Sequence, residues 1–273
     1  MLNIIVCIKQ VPDTTQVHID PETNTLVREG VPAIINPFDL HAIEAAVQLK
    51  ERYGGACTIL SMGPPQAAEA LQKALSLGAD RAILLSDKAL IGSDTLATSA
   101  ALAAGIRRLD RGQRVDMVLC GKQTIDGDTA QVGPGIATRL DFSQITYVGK
   151  IESVDVENRR LRVRRILEAA EELVEAPLPA LLTVLKEIAE PRYAPLPSVI
   201  RGLRAEIPVW GIADLDLDAH EVGLAGSPTQ VRRIFAPPPR TGGDVIAGDD
   251  GNPDRVVNLL LDRLLADGVL EGS

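Results

Sequence analysis

The sequence predicts an α/β protein built on a doubly wound, mostly parallel sheet. Three observations carry this reading. Short aliphatic runs alternate with helical stretches from the first residues through Leu140. Hydrophobic residues make up 45% of the chain but aromatics only 3%, the composition of aliphatic strands buried on both faces. The length, 273 residues, suits one large domain or a domain with an extension.

Ile4 to Ile8 reads as a buried strand, followed by the loop Lys9-Gln-Val-Pro-Asp13. Val17 to Asp20 and Thr25 to Arg28 flank the turn residues Pro21-Glu-Thr-Asn24, a hairpin pattern. Asn36-Pro-Phe-Asp39 opens an amphipathic helix, with Leu40, Ile43, Ala46, Val47 and Leu49 at helical spacing. Cys57 to Met62 is the next strand, and Gly63-Pro-Pro65 breaks the chain before a helix from Ala67 to Leu77, closed by Gly78. Ala82 to Leu85 is a third strand, and Ser93-Asp-Thr95 caps the alanine-rich helix Leu96 to Leu109. Val115 to Cys120 is a fourth strand, and a helix begins near Gly133. Right-handed crossovers put the carboxyl ends of these strands on one edge, where ligands of open α/β sheets bind. Lys9, Gly63 and the loop from Gly121 all follow strands, and Asn36 and Ser93 sit at helix starts that can join them.

After Ile145 the pattern changes. Val148 to Val156 and Arg160 to Ile166 read as antiparallel strands, and Leu181 to Leu185 as a further strand. A proline-rich segment, Glu190 to Pro197, precedes a short helix from Ser198 to Arg204. The remainder reads as a mostly irregular arm that cannot bury itself and lies on a partner subunit. Within it, Thr241 to Pro253 is expected to be mobile, and Asp254 to Leu265 to form a terminal helix. The expected organisation is a nucleotide-binding α/β domain over 1–188, a partner recognition loop and short helix over 189–204, and the arm over 205–273.

Composition narrows the function. A net charge of −9 argues against nucleic acid as the main partner. Cys7, Cys57 and Cys120 lie in apolar strand segments, as core residues of a reducing compartment. No cysteine or histidine pair has metal-ligand spacing, so no metal is expected. No apolar run approaches the ~20 residues of a membrane span, and the N-terminus lacks the pattern of a signal peptide. A cytoplasmic protein without membrane insertion is expected.

The most informative stretch is Gly121-Lys-Gln-Thr-Ile-Asp-Gly-Asp-Thr-Ala-Gln-Val-Gly-Pro134, between the fourth strand and its helix. Backbone N–H groups of such a loop, and the positive end of the helix, suit a phosphate. Glycine lets the backbone come close to a ligand. The loop is neither a Walker loop nor a G-x-G-x-x-G turn. Read alone, it is phosphate-binding or an ordinary strand-to-helix connection.

Several ordered motifs together make the chain resemble the beta subunit of electron transfer flavoproteins over nearly its whole length. They are Val6-Cys-Ile-Lys-Gln-Val-Pro12, Asn36-Pro-Phe-Asp39, Gly78-Ala-Asp-Arg81, the Gly121–Pro134 loop and Glu190-Pro-Arg-Tyr193. The resemblance implies a Rossmann-like fold of the adenine-nucleotide-binding type and a heterodimer with an alpha subunit that carries the electron-transferring FAD. In the mitochondrial type the beta subunit binds AMP; in the electron-bifurcating type it binds a second FAD. The mitochondrial loop resembles Asp-Asp-Asp-Cys, where this chain has Asp126-Gly-Asp-Thr129. Ser93-Asp-Thr-Leu-Ala-Thr-Ser99 and Gly223-Leu-Ala-Gly-Ser-Pro-Thr-Gln-Val231 look like the bifurcating and nitrogen-fixation (Fix) beta subunits. The resemblance thus implies FAD, with AMP as the alternative. It also implies electrons from NADH, delivered to an acyl-CoA dehydrogenase or quinone oxidoreductase and to ferredoxin or flavodoxin.

The cofactor-binding residues expected on this basis are Cys7, Lys9, Asn36, Asp39, Met62, Gly63, Asp94, Thr95 and Thr98. The loop adds Thr124, Ile125, Asp126, Gly127, Asp128, Thr129, Ala130, Gln131, Val132, Gly133 and Pro134. Thr95 and Thr98 share a helix face and present two hydroxyls together, toward the flavin ring in the family. Ordinary readings stand beside these. Asp126 and Asp128 suit turn roles better than acid–base roles; with a flavin doing the chemistry, no catalytic residue is expected. Lys9 offsets a diphosphate or is a plain strand-end lysine. Asn36 is a helix N-cap, an adenine or ribose contact, or both. Met62 lines the nucleotide or is core. Cys7 presents backbone near adenine, with an inert thiol.

Glu190, Pro191, Arg192, Tyr193 and Leu196 match the family's partner-docking loop, and Leu196 corresponds to its anchoring leucine. An exposed leucine between prolines loses little entropy on binding; the plainer reading is a linker. Ala-Pro-Leu-Pro and Arg201-Gly-Leu-Arg204 depart from the mitochondrial pattern, which leaves the docking partner open. A different class, a stand-alone nucleotide-binding signalling module of the universal-stress type, shares the layout, and the long proline-rich tail argues against it.

Overall fold

The computed structural model describes residues 1–13, 18–19, 26–27, 32–231, 243 and 253–270. Strand β1 (Leu2–Ile8) is almost wholly buried. A small antiparallel pair, β2 (Gln10–Pro12) with β5 (Ala33–Ile35), follows it. The expected hairpin is present as β3 (His18–Ile19) paired with β4 (Leu26–Val27); its turn residues lie outside the described residues.

Helices and strands then alternate as read: α1 (Pro37–Tyr53), β6 (Gly55–Met62), α2 (Ala68–Ser76), β7 (Arg81–Leu85), α3 (Thr95–Gly112), β8 (Met117–Gly121) and α4 (Val132–Leu140). The chain continues through β9 (Ser143–Asp155), β10 (Arg160–Ile166), β11 (Glu171–Pro177), β12 (Ala180–Val184), α5 (Leu196–Leu203) and β13 (Val209–Trp210).

The main sheet has nine strands in the order β11-β10-β9-β12-β8-β1-β6-β7-β13. Along the order β9-β12-β8-β1-β6-β7-β13 neighbouring strands are parallel, and β10 and β11 add antiparallel pairs beside β9. The doubly wound, mostly parallel α/β fold is therefore as expected. One apolar core lies between the sheet and α1 and α2, the other between the sheet and α3 and α4. The chain leaves β1 in one direction and returns to β8 on its other side, so the order reverses between these two strands. That reversal is where open α/β sheets bind ligands.

Two features depart from the sequence reading. Strand β11, Glu-Glu-Leu-Val-Glu-Ala-Pro, was not expected, because three glutamates and a proline read as loop. As an edge strand it carries those charges, which deter pairing with a further chain, and Arg164, Arg165 and Arg160 of β10 pair with Glu171, Glu172 and Glu175. The second departure is the start of the arm. Trp210 joins the sheet beside β7, and Leu215, Val222 and Ser227 are buried. One compact unit runs from Met1 to Ile234, so residues 205–231 cluster with the α/β domain. The second unit, Phe235–Ser273, contains α6 (Pro253–Ala266), the terminal helix expected. Most of Thr241 to Pro253 lies outside the described residues. No helix among the described residues is long and apolar enough to cross a membrane.

Candidate nucleotide site

The site is built where β1 and β8 end. Asp39, in the first turn of α1, joins the two strand ends: Lys9 N–H donates to Oδ2 at 2.7 Å and Gly121 N–H to Oδ1 at 3.1 Å. Asp39 is only 4% exposed. Burial pushes its pKa up to about 7, against hydrogen bonds from Asn36 and the two backbone groups and the charge of Lys9, which lower it. A Cβ on Gly121 would sit 2.3 Å from Asp39 Oδ1, so glycine is required for this close approach.

Asn36 is fully buried and grips the loop. Its Nδ2 donates to Gln123 O at 2.9 Å, and Ile125 N–H donates to its Oδ1 at 3.2 Å. It makes no side-chain cap on α1, so the N-cap reading is corrected: the amide serves the loop, because the helix start needs it less than the loop's buried polar groups do. Above this clamp, Thr124 Oγ1 donates to Gly127 O at 2.9 Å and closes a tight turn. Lys9 Nζ pairs with Asp126 at 2.8 Å across the mouth of the loop.

Beyond the turn the backbone is unpartnered. The N–H groups of Asp128, Thr129 and Ala130 meet no acceptor among the described residues. Ala130 has φ of 56°, a left-handed conformation that costs a non-glycine residue energy. Gln131 stands at the N-cap of α4 without capping it. Instead its Oε1 accepts from Thr95 Oγ1 at 3.0 Å, which ties the starts of α3 and α4 together. Val132 and Pro134 are half-buried, and Gly133 is buried in the first turn of α4.

Asp94 caps α3, with Oδ1 accepting from Leu96 N–H at 2.9 Å and Ala97 N–H at 3.0 Å. Its other oxygen accepts from the backbone and hydroxyl of Thr229, and Ser227 Oγ accepts from Asp94 N–H. Burial raises the Asp94 pKa, but these hydrogen bonds outweigh it and hold the carboxyl below its usual value. Thr98 lies one turn along, and its hydroxyl has no partner among the described residues. Met62 and Gly63 are half-buried at the end of β6, with Gly63 N–H donating to Leu85 O at 3.0 Å.

The structure thus brings Lys9, the Thr124–Gln131 loop, Thr95, Thr98 and Gly63 to one edge. It removes two expected contacts from that surface. Asp39 is a buried brace whose oxygens both serve backbone N–H groups, and Asn36 has its amide fully engaged within the chain. Cys7 is 7% exposed and registers with Cys120 on β8. Hydrogen bonding with Cys7, then burial, pushes the Cys120 thiol well up, and burial pushes Cys57 up to about 12. These thiols are inert core groups, as the sequence suggests. No metal-binding cluster occurs among the described residues.

One observation on this chain bears on a ligand. A Cβ on Gly127 would meet only Thr124 Oγ1, at an ordinary 3.7 Å, and Gly127 has no positive φ. Neither packing nor backbone conformation calls for glycine there. The turn leaves open space beside Gly127, and the unpaired N–H groups next to it suit an anion.

The segment expected to dock a partner is fixed from beneath. The Arg192 guanidinium donates to Glu44 at 2.8 and 2.9 Å and to Glu51 at 2.6 and 3.0 Å. Burial works to raise the Glu44 pKa, but Arg192 and Gln48 outweigh it and leave it lowered. At the far end Gly202 lies so close to α2 that a Cβ would be 2.1 Å from Ser76 Oγ. Arg192 is therefore an anchor, with four of its five guanidinium N–H donors taken up within the chain. Between the anchors Tyr193 is 99% exposed and Leu196 is 72% exposed, while Glu190 is exposed and Pro191 half-buried.

The fold and this edge define an α/β protein with a candidate ligand site at its switch point. The electron transfer flavoprotein domain matches residues 23–215. The chain is 48% identical to Protein FixA of Azotobacter vinelandii over 265 residues, covering 96% of this chain and 94% of that protein. It is 49% identical to the electron transfer flavoprotein subunit beta of Clostridium acetobutylicum over 245 residues, covering 90% and 92%. It is 48% identical to the Caffeyl-CoA reductase-Etf complex subunit CarD of Acetobacterium woodii over 252 residues, covering 92% and 94%. The chain belongs to the electron transfer flavoprotein family, with the beta subunits and FixA proteins, and its role is electron transfer.

Proposed function

We propose that this chain is the FAD-binding beta subunit of a bifurcating electron transfer flavoprotein, working in the cytoplasm with an alpha subunit. The observation that supports the nucleotide is the Thr124–Gln131 loop, with unpaired N–H groups, open space beside Gly127, and Lys9 at its mouth. The choice of FAD over AMP rests on Thr95 and Thr98 at the start of α3, two turn-related hydroxyls beside the loop. AMP alone would leave Thr98 with nothing to bind.

In this reading the N–H groups of Asp128 to Ala130 and the start of α4 hold the diphosphate. Lys9 offsets its charge and Asp126 orients Lys9. Asp39 lies next to this site, and its raised pKa lessens the negative charge on the floor beneath an anion. Thr95 and Thr98 orient the isoalloxazine end. A bound FAD supplies hydride acceptance from NADH and single-electron release in two directions. Those directions are the alpha-subunit FAD, leading to an acyl-CoA dehydrogenase or quinone oxidoreductase, and ferredoxin or flavodoxin. Tyr193 and Leu196 on their anchored segment form the surface for the dehydrogenase or quinone partner, and the segment after Ile234 engages the alpha subunit.

Denaturing the purified heterodimer and identifying the released nucleotides tests this. FAD bound to each subunit, with no AMP, is the expected result. FAD on the alpha subunit alone, with AMP released in equal amount, would establish the plain carrier instead.

A further inference from the structure

The opposite edge of the sheet carries a feature that electron transfer does not use. A cleft of about 260 Å³ opens between the amino ends of β1, β6 and β7 and the last turns of α3. Its floor is apolar, from Ile5, Leu109 and Val115, with one polar group, the hydroxyl of Thr58. Thr58 is only 5% exposed, and its hydroxyl makes no hydrogen bond among the described residues. The hydroxyl lines the cleft and is free to donate there.

The walls are cationic. Arg81 and Arg108 line the cleft and no carboxylate does, in a chain whose net charge is −9. Arg81 forms no ion pair among the described residues; it donates only to Gln113 Oε1, at 3.0 Å. Gln113 in turn donates to Asn3 Oδ1, and Asn3 to Arg114 O at 2.9 Å, so the rim is held in a fixed chain of hydrogen bonds. Arg108 is oriented by Asp214 and stacks on the Trp210 ring at 4.5 Å.

We propose that this cleft binds a small organic anion, a carboxylate carried on an apolar body. The Arg81 fork would take the carboxylate, because guanidinium and carboxylate match in geometry and Arg81 has unused donors. The apolar floor and the Trp210 wall would take the body, with Thr58 donating at its base. The volume lies just under the usual range of about 300–1,000 Å³ for ligand pockets, which fits a short acid and excludes a nucleotide. This site is independent of the nucleotide reading, since it shares no residue with the loop at the other edge.

Trp210 is the chain's one tryptophan, so its fluorescence in the full chain reports on this cleft. The test is a titration with cyclohexanecarboxylate, followed by that fluorescence and by calorimetry, with inorganic phosphate in parallel. Saturable binding is expected, with Arg81→Gln weakening it by about tenfold, the loss of one charge-assisted pair. Arg81→Lys should recover part of that loss, and Thr58→Val should weaken binding less. Arg81 is exposed, so its variants test the site without disturbing the core. Failure to saturate, an unchanged dissociation constant in Arg81→Gln, or phosphate binding as tightly as the acid would each overturn the proposal.

Discussion

Asp39 and Glu44 lie five residues apart on α1, and each is 4% exposed, yet burial ends in opposite outcomes for them. Asp39, under the nucleotide loop, is met mainly by backbone N–H groups, and its pKa rises to about 7. Glu44, under the docking segment, is met by the Arg192 guanidinium, and its pKa falls. Surroundings and partner chemistry together decide the sign: Asp39 is enclosed on all sides with no cation in contact, while Glu44 lies in a more open setting against a guanidinium. The two regions share a plan, a buried group holding an exposed one. They differ in what they expose: polar backbone above Asp39, and the apolar side chains of Tyr193 and Leu196 above Arg192. The first suits an anion and the second a protein surface.

The largest expected effect comes from breaking the clamp on the loop side. Asn36→Leu strands Gln123 O and Ile125 N–H, and each lost buried partner costs about 1–3 kcal/mol. Thermal unfolding should show the loss, and the variant should retain no nucleotide on this subunit, while Leu196-dependent docking persists in whatever heterodimer survives. Retained nucleotide would show that the loop keeps its shape without Asn36. Next is Arg192→Ala. It leaves Glu44 buried and uncompensated, at a cost of about 2–3 kcal/mol, near the lower end for a broken buried pair because Arg192 is itself partly exposed. Electron delivery to the dehydrogenase partner should fall while nucleotide content stays normal. Equal loss of nucleotide would mean that the two regions are not independent.

Leu196→Ala should be quieter, because it removes an exposed side chain. Stability and nucleotide content should not change, and the partner's Michaelis constant should rise several-fold, as for loss of an interface anchor of about 1–2 kcal/mol. A drop in melting temperature would make the segment structural. The smallest effect is on pH dependence, and its sign differs between the two carboxyls. Asp39 binds its proton more tightly when folded, so the stability it contributes is full below its ordinary value of 3.8 and is lost as pH rises through about 7. Glu44 contributes stability above its ordinary 4.5 and loses it as pH falls through its lower folded value. Denaturant melts of Asp39→Asn should therefore flatten the stability profile between those Asp39 limits. Glu44→Gln should flatten only the acid limb. An Asp39→Asn profile parallel to the parent would show that Asp39 titrates alike in the folded and unfolded chain.

Much of this was legible in the sequence. Strand and helix alternation, the aliphatic composition and the Gly121–Pro134 loop gave the fold and the edge where the site lies. Residue roles were harder to read where a side chain faces its own chain. Nothing in Asn36-Pro-Phe-Asp39 tells that Asn36 reaches a loop 87 residues on, or that Asp39 braces two strands. Arg192 reads as an exposed cation until α1 supplies Glu44 and Glu51. Strand β11 was hidden because its charges answer to arginines on the neighbouring strand, and sequence propensity does not see that pairing. Residues 205–231 looked unable to bury themselves because their apolar positions follow no helix or strand period, among them the buried Leu215 and Val222. The α3 face that covers them is evident only in three dimensions.

The central claim is that a FAD lies against the turn at Gly127. Its most direct measurement is the flavin content of the heterodimer with Gly127→Val, set beside the parent. Space around Gly127 admits a larger side chain without disturbing the chain itself, so folding and assembly should be kept. The account predicts that the parent carries flavin on both subunits, and that the variant keeps the alpha-subunit flavin and loses the other. Flavin on both subunits of the Gly127→Val heterodimer would contradict it.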